Sequence, residues 1–195
     1  MIYPYEVFEP GDVILTGGNA LISRIIRWIT QARGQSKTIK NHAGIAVSKN
    51  TYIEALTTVR RHDYNHLINL NTDIEVWRKV DLIDDQKENI VLRASDYVGR
   101  LYGPQKIVLH AFDGLLGKIF AKDVYLFRKL GFMDRYPICS WVVSYAYDFV
   151  GYQFLNKDPK YATPDCIHDH LVESKDWKIV YTNHREYYTE DKKIG

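Results

Sequence analysis

The chain contains two cysteines, and each stands near the start of a run with helical spacing. The more apolar run is YPICSWVVSYAYDFVG, from Tyr136 to Gly151. Pro137 breaks what precedes it, and Ile138, Trp141, Val142, Tyr145, Ala146 and Phe149 then recur at intervals of three and four, the pattern of a helix with a buried face. Gly151 stands where a C-terminal cap belongs. Cys139 therefore falls in the first turn, where unpaired backbone N–H groups and the helix dipole favour a thiolate over a thiol. Such a sulfur becomes a nucleophile when a base is brought to it and a third group holds that base.

The rival sulfur is Cys166. In CIHDH, Cys166 and His170 are four residues apart, which puts both on one helix face and could supply two metal ligands. A structural zinc site needs two more, and the sequence shows no second cluster nearby. The expectation is a half-buried cysteine in a polar helix, with no metal and no cofactor. Gly17-Gly18 does not have the spacing of a phosphate-cradling loop.

Several elements must position a base for Cys139. Val13-Ile14-Leu15 reads as a short buried strand between the Gly11-Asp12 turn and Gly17-Gly18. From Asn19, the residues Leu21, Ile22, Ile25, Ile26 and Ile29 form a helical stripe, with Arg24, Arg27, Arg33, Lys37 and Lys40 around it. His42 to Val47 is a clear strand, and Thr51 to Leu56 its hairpin partner across Lys49-Asn50. His42 begins the first of these strands and Glu54 lies in the second. Direct cross-strand pairing of the two needs a register offset, and a diagonal contact remains open.

Thr57 to Val59 prolongs the second strand, His62 to Asn71 reads as a polar loop, and Ile74 to Val80 as a further strand. A helix follows from Asp84-Asp85, with Ile90, Val91, Ala94, Tyr97, Val98 and Leu101 inward and Gly103-Pro104 ending it. Residues 105–135 form a lid or an insertion. Thr163-Pro164-Asp165 is an N-cap followed by proline at the first helical position, and a last strand covers Trp177 to Tyr181 before a charged tail. Consecutive short strands with longer helices on one face give an α+β domain, a mainly antiparallel sheet or small barrel.

Composition sets the outer limits. At 195 residues, with 46% hydrophobic and 26% charged residues, the chain fits one domain with a proper core. A net charge of +2 argues against nucleic acid as a partner. Two cysteines do not make a disulfide framework. No secretory signal is visible, and no stretch reaches the roughly 20 apolar residues that span a bilayer. A cytoplasmic protein is the expectation. The basic residues beside the first helical stripe admit contact with a membrane surface, but the solvent face of a packed helix is favoured.

GDVIL, NHAGIAV, YIEAL and YPICSWVVSYAY, with LYG at Leu101 to Gly103 and ATPDCIHDHL at Ala162 to Leu171, resemble the permuted papain-like proteins of the NlpC/P60 superfamily. The branch most similar is the YiiX/YebB-like group, with the lecithin:retinol acyltransferase-like proteins more distant. The resemblance runs from Gly11 to about Tyr181. It implies a papain-like fold in circularly permuted order, with Cys139 as nucleophile, His42 as general base and Glu54 orienting the imidazole. It also implies a cysteine hydrolase, an amidase or peptidase, acting through a thioester on cell-wall peptides or other small amides. Tyr102 and Tyr52 are candidates to line the substrate pocket. The alternatives are a lipid-directed acyltransferase or lipase with the same three residues, and a binding module that has lost turnover.

Overall fold

The computed structural model of the protein describes residues 7–17, 40–69, 73–101, 138–156 and 158–183. The helix expected from Asn19, the 105–135 segment, Tyr102 and the tail from Glu186 lie outside these residues. Six strands form one antiparallel sheet: β1 (Val13–Gly17), β2 (His42–Ala46), β3 (Thr51–Ala55), β4 (Val59–Asp63), β5 (Asp73–Lys79) and β6 (Trp177–Thr182). Their order across the sheet is β4-β3-β2-β1-β5-β6, so the first strand lies at its centre. The α-helices among the described residues are α1 (Tyr64–Asn69), α2 (Asp84–Ser95), α3 (Cys139–Asp148) and α4 (Pro164–Glu173). The architecture is α+β, with an open sheet in the described part.

Both faces of the sheet are covered, which is why its central strands read as apolar runs rather than as alternating patterns. On one face Val13, Leu15, Ala43, Ile45, Ile53 and Ala55 pack in one cluster with Ile90 and Ala94 of α2 and Val142, Val143, Ala146 and Tyr147 of α3. On the other, Ile14, Ala46, Tyr52 and Val76 meet Phe8, Tyr64 and Leu67. Each fully buried Val, Leu or Ile stabilises the fold by about 1.5–3 kcal/mol. That is how a five-residue strand such as β1 can stand at the centre.

Helix α3 begins at Cys139 with Ile138 as its N-cap, and Gly151 beyond its end takes a φ of 81°, as a C-terminal cap requires. The apolar spacing misjudged its inner face. Phe149 is 57% exposed, while Ser140, Ser144 and Tyr147 are buried. Their hydroxyls are satisfied by donating to backbone carbonyls: Ser140 to Ala162 at 2.7 Å, Ser144 to Pro159 at 3.1 Å and Tyr147 to Gly11 at 2.5 Å. A hydroxyl so paired can occupy a core position that a hydrophobicity pattern assigns to polar surface.

Two further expectations change. The chain does not extend β3 through Val59 or run as a loop from His62. It bends at Leu56-Thr57, returns as β4 against β3, and enters α1 at Tyr64. Arg60, Arg61 and Asp63 are exposed, because β4 is an edge strand of the described sheet. Helix α2 stops at Ser95 rather than near Gly103, and the chain turns through Gly99 at a φ of 88°. Tyr97 stays buried within that turn, while Val98 and Leu101 are exposed. The N-cap at Thr163 is as expected, its hydroxyl accepting from the Cys166 N–H at 3.1 Å.

Candidate active site

The β2–β3 register pairs Gly44 with Glu54 and Ala46 with Tyr52. His42 is thus the diagonal neighbour of Glu54 on one face of the sheet, two residues from the position directly opposite. Glycine at that position leaves the path between them open. A Cβ at residue 44 would stand 3.0 Å from the Ile53 carbonyl oxygen and 3.6 Å from the Glu54 Cβ. The carboxylate reaches across, and Glu54 Oε2 lies 2.7 Å from His42 Nε2.

With Nε2 committed to Glu54, Nδ1 is the imidazole nitrogen left for a second partner. Cys139, in the first turn of α3, is the other group that acts on His42, and the sulfur and the imidazole each favour the other's charged form. Backbone N–H groups of Ala43 and Ser140 also point to the sulfur. The structure therefore brings Cys139, His42 and Glu54 together, and the His42–Glu54 contact is the diagonal alternative that the hairpin left open.

Charge in this chain follows from burial set against pairing. Glu54 is 2% exposed and His42 17%. Burial alone would neutralise His42, but the Cys139 sulfur and the Glu54 carboxylate outweigh it and push the imidazole up to about 10. Burial likewise opposes the Cys139 thiolate, and His42 with the two backbone N–H groups overcomes it, holding the thiol below its ordinary range. Glu54 is held below the usual carboxylate range against its own burial, by hydrogen bonds from His42 and Tyr52. Pairing thus shifts all three groups toward their charged forms, a thiolate, an imidazolium and a carboxylate.

Tyr52 is fully buried, and its hydroxyl donates to Glu54 Oε1 at 3.1 Å. It steadies the carboxylate instead of lining an open pocket. Two residues not singled out from the sequence face the same oxygen: His62 Nε2 of β4 at 3.6 Å and His66 Nε2 of α1 at 3.5 Å. Their ligating atoms and a Glu54 oxygen all lie within 4.8 Å of one another, a group that could hold a metal ion. The four-residue spacing of His62 and His66 was the available signal. The polar stretch around them had been read as a loop.

The Cys166–His170 pair is differently engaged. Cys166 is a free, half-buried cysteine. His170 Nδ1 accepts from the Leu155 N–H at 3.3 Å, so Nε2 carries the proton and donates to the Tyr152 hydroxyl at 2.6 Å. Both imidazole nitrogens are occupied in packing α4 against the chain that follows α3. Lys40 also differs from its expected place among surface basic residues. It is 1% exposed and pairs with Glu75 Oε1 at 3.0 Å, while Trp77 Nε1 donates to Glu75 Oε2 at 3.0 Å.

Among solved structures the fold is similar to that of YiiX from Escherichia coli O157:H7, described as a metalloprotein. The TM-score is 0.60 at 16% sequence identity, covering 90% of this chain and 97% of that one. YiiX gives its name to the branch that the sequence motifs resemble, and at this identity the likeness is one of fold. No family model and no curated protein matches the chain. No helix among the described residues is long and apolar enough to cross a membrane.

Proposed function

We infer that the chain is a cysteine hydrolase of the permuted papain-like, NlpC/P60 type, acting on a small amide or peptide. The observation that carries this reading is the 2.7 Å imidazole–carboxylate contact of His42 and Glu54, with His42 and Cys139 each favouring the other's charged form. In the proposed cycle the Cys139 thiolate attacks the substrate carbonyl carbon, forming a C–S bond and moving the carbonyl electron pair onto oxygen. In this reading N–H groups at the start of α3, that of Cys139 among them, receive the oxyanion. Collapse breaks the C–N bond, and the His42 imidazolium gives its proton to the departing amine. Neutral His42 then takes a proton from water as its oxygen attacks the thioester carbonyl, and collapse breaks the C–S bond, releasing the carboxylic acid and restoring the Cys139 thiolate beside the His42 imidazolium. Glu54 keeps the ring in the orientation that both transfers need.

The test is intact-mass labelling with limiting iodoacetamide at pH 6, where an ordinary thiol is protonated. Cys139 is expected to be labelled before Cys166, and His42→Ala to slow its labelling by at least about tenfold. Preferential labelling of Cys166, or an equal rate in the variant, would overturn the reading. YiiX is described as a metalloprotein, and we extend to this chain the expectation that it too carries an ion. The thiol steps above are written without one.

A further inference from the structure

We propose that Glu54, His62 and His66 form a binding site for a single divalent transition-metal ion of the zinc class, on the side of Glu54 turned away from His42. The site shares Glu54 with the thiol chain but does not depend on turnover there. Three elements converge to make it: Glu54 from β3, His62 from the neighbouring edge strand β4, and His66 from α1, which follows β4 directly.

The two separations from the carboxylate oxygen are those of ligands around an ion, and all three donor atoms lie within 4.8 Å of one another. His62 Nε2 and His66 Nε2 stand 3.6 and 3.5 Å from Glu54 Oε1. Donors at zinc distances of about 2.0–2.2 Å, arranged tetrahedrally, lie about 3.3–3.6 Å apart. A hydrogen bond to a carboxylate would draw the atoms closer, to about 2.7–2.9 Å. His66 Nε2 is buried and has no hydrogen-bond partner. The two imidazole rings are stacked, with centroids 4.3 Å apart and planes 15° from parallel, so both present the same ring nitrogen to one oxygen. Such stacking suits two neutral rings, the form in which histidine binds a metal.

The donor set also limits which ion fits. Two imidazole nitrogens and one carboxylate suit zinc and its transition-metal neighbours, whereas calcium takes six to eight oxygens. Three protein donors leave at least one position open to water or another small ligand. The second shell is partly built. The Tyr52 hydroxyl, 3.1 Å from Oε1, and His42 on Oε2 hold the carboxylate plane.

The experiment uses the full chain, stripped with chelator and titrated with Co2+ by visible absorbance, then with Zn2+ in competition. One ion per chain is expected, with binding weakened at least about tenfold in both His62→Ala and His66→Ala, and unchanged in Cys166→Ser. X-ray absorption of the zinc-loaded wild type needs no variant. It should show nitrogen and oxygen neighbours only. No binding, binding undiminished in either histidine variant, loss in Cys166→Ser, or a sulfur neighbour at about 2.3 Å would overturn the proposal. Alkylation of Cys139 in the metal-free wild type reads the thiol chain separately, so either reading can fail while the other stands.

Discussion

At the scale of single residues, the two oxygens of Glu54 face different neighbours. One oxygen holds the His42 ring at 2.7 Å, and the other meets Tyr52, His62 and His66. Removing its charge while keeping its shape should lower the His42 pKa. Against its burial, the Cys139 sulfur and the Glu54 carboxylate push wild-type His42 up to about 10, which favours its protonated form through neutral pH. The folded value lies above the unfolded value of 6.5. His42 therefore contributes stability that is full below 6.5 and fades as pH rises toward 10. In Glu54→Gln, the His42 ring signals followed by NMR should titrate at lower pH, and Cys139 labelling at pH 6 should fall several-fold. An unchanged His42 titration would show that Glu54 does not hold the proton. Cys139, His42 and Glu54 could be singled out together because their order along the chain resembles a known pattern. His62 and His66 were not, because what joins them is a carboxylate on another strand.

At the scale of elements, the site depends on the register of one hairpin. Gly44 lies opposite Glu54, and its missing side chain is what allows the diagonal contact to His42. A methyl group there meets the Ile53 carbonyl at 3.0 Å and the Tyr52 ring at 3.4 Å, so the strands must part. Gly44→Ala should cost about 1–3 kcal/mol in urea unfolding and also slow Cys139 labelling, even under conditions where the protein is fully folded. A loss of stability with labelling unchanged would mean that the contact tolerates the shift. The hairpin, β1, β5, β6 and the cap at Thr163 could all be read from local signals. Strand β4 could not, because an edge strand carries its charges where alternation would otherwise show. The end of α2 was also misread, because Tyr97 remains buried after the helix has stopped.

At the scale of the whole molecule, the central sheet holds a charge pair in its interior. Lys40 and Glu75 are each 1% exposed and 3.0 Å apart. Burial works against the Glu75 charge, but His168 and Lys40 overcome it and bring the carboxyl from 4.5 down to about 2. A carboxylate depressed in this way adds stability above its unfolded pKa and loses it as pH falls from about 4.5 toward 2. That shift is worth about 3 kcal/mol. Glu75→Gln leaves the Lys40 ammonium buried without its counter-charge and should cost about 3–5 kcal/mol near neutral pH. Its unfolding free energy should also vary less with pH below 4.5 than that of the wild type, as urea melts at pH 6 and pH 3 would show. Equal pH dependence in the two would remove Glu75 as the source. No local pattern marks Lys40 as buried, since its partner lies on a strand reached only after the sheet is assembled.

The polar edge strand has one more consequence, for how molecules meet each other. An outer strand carries unpaired backbone groups that invite another chain to add to the sheet. Here β4 sets Arg60, Arg61 and Asp63 in solvent along that border, and a neighbouring molecule approaching it would have to strip water from those charges. The border that hides its histidine is thus fenced by arginine and aspartate. Among the described residues, those charges disfavour a second chain at that flank but leave room for something as small as an ion.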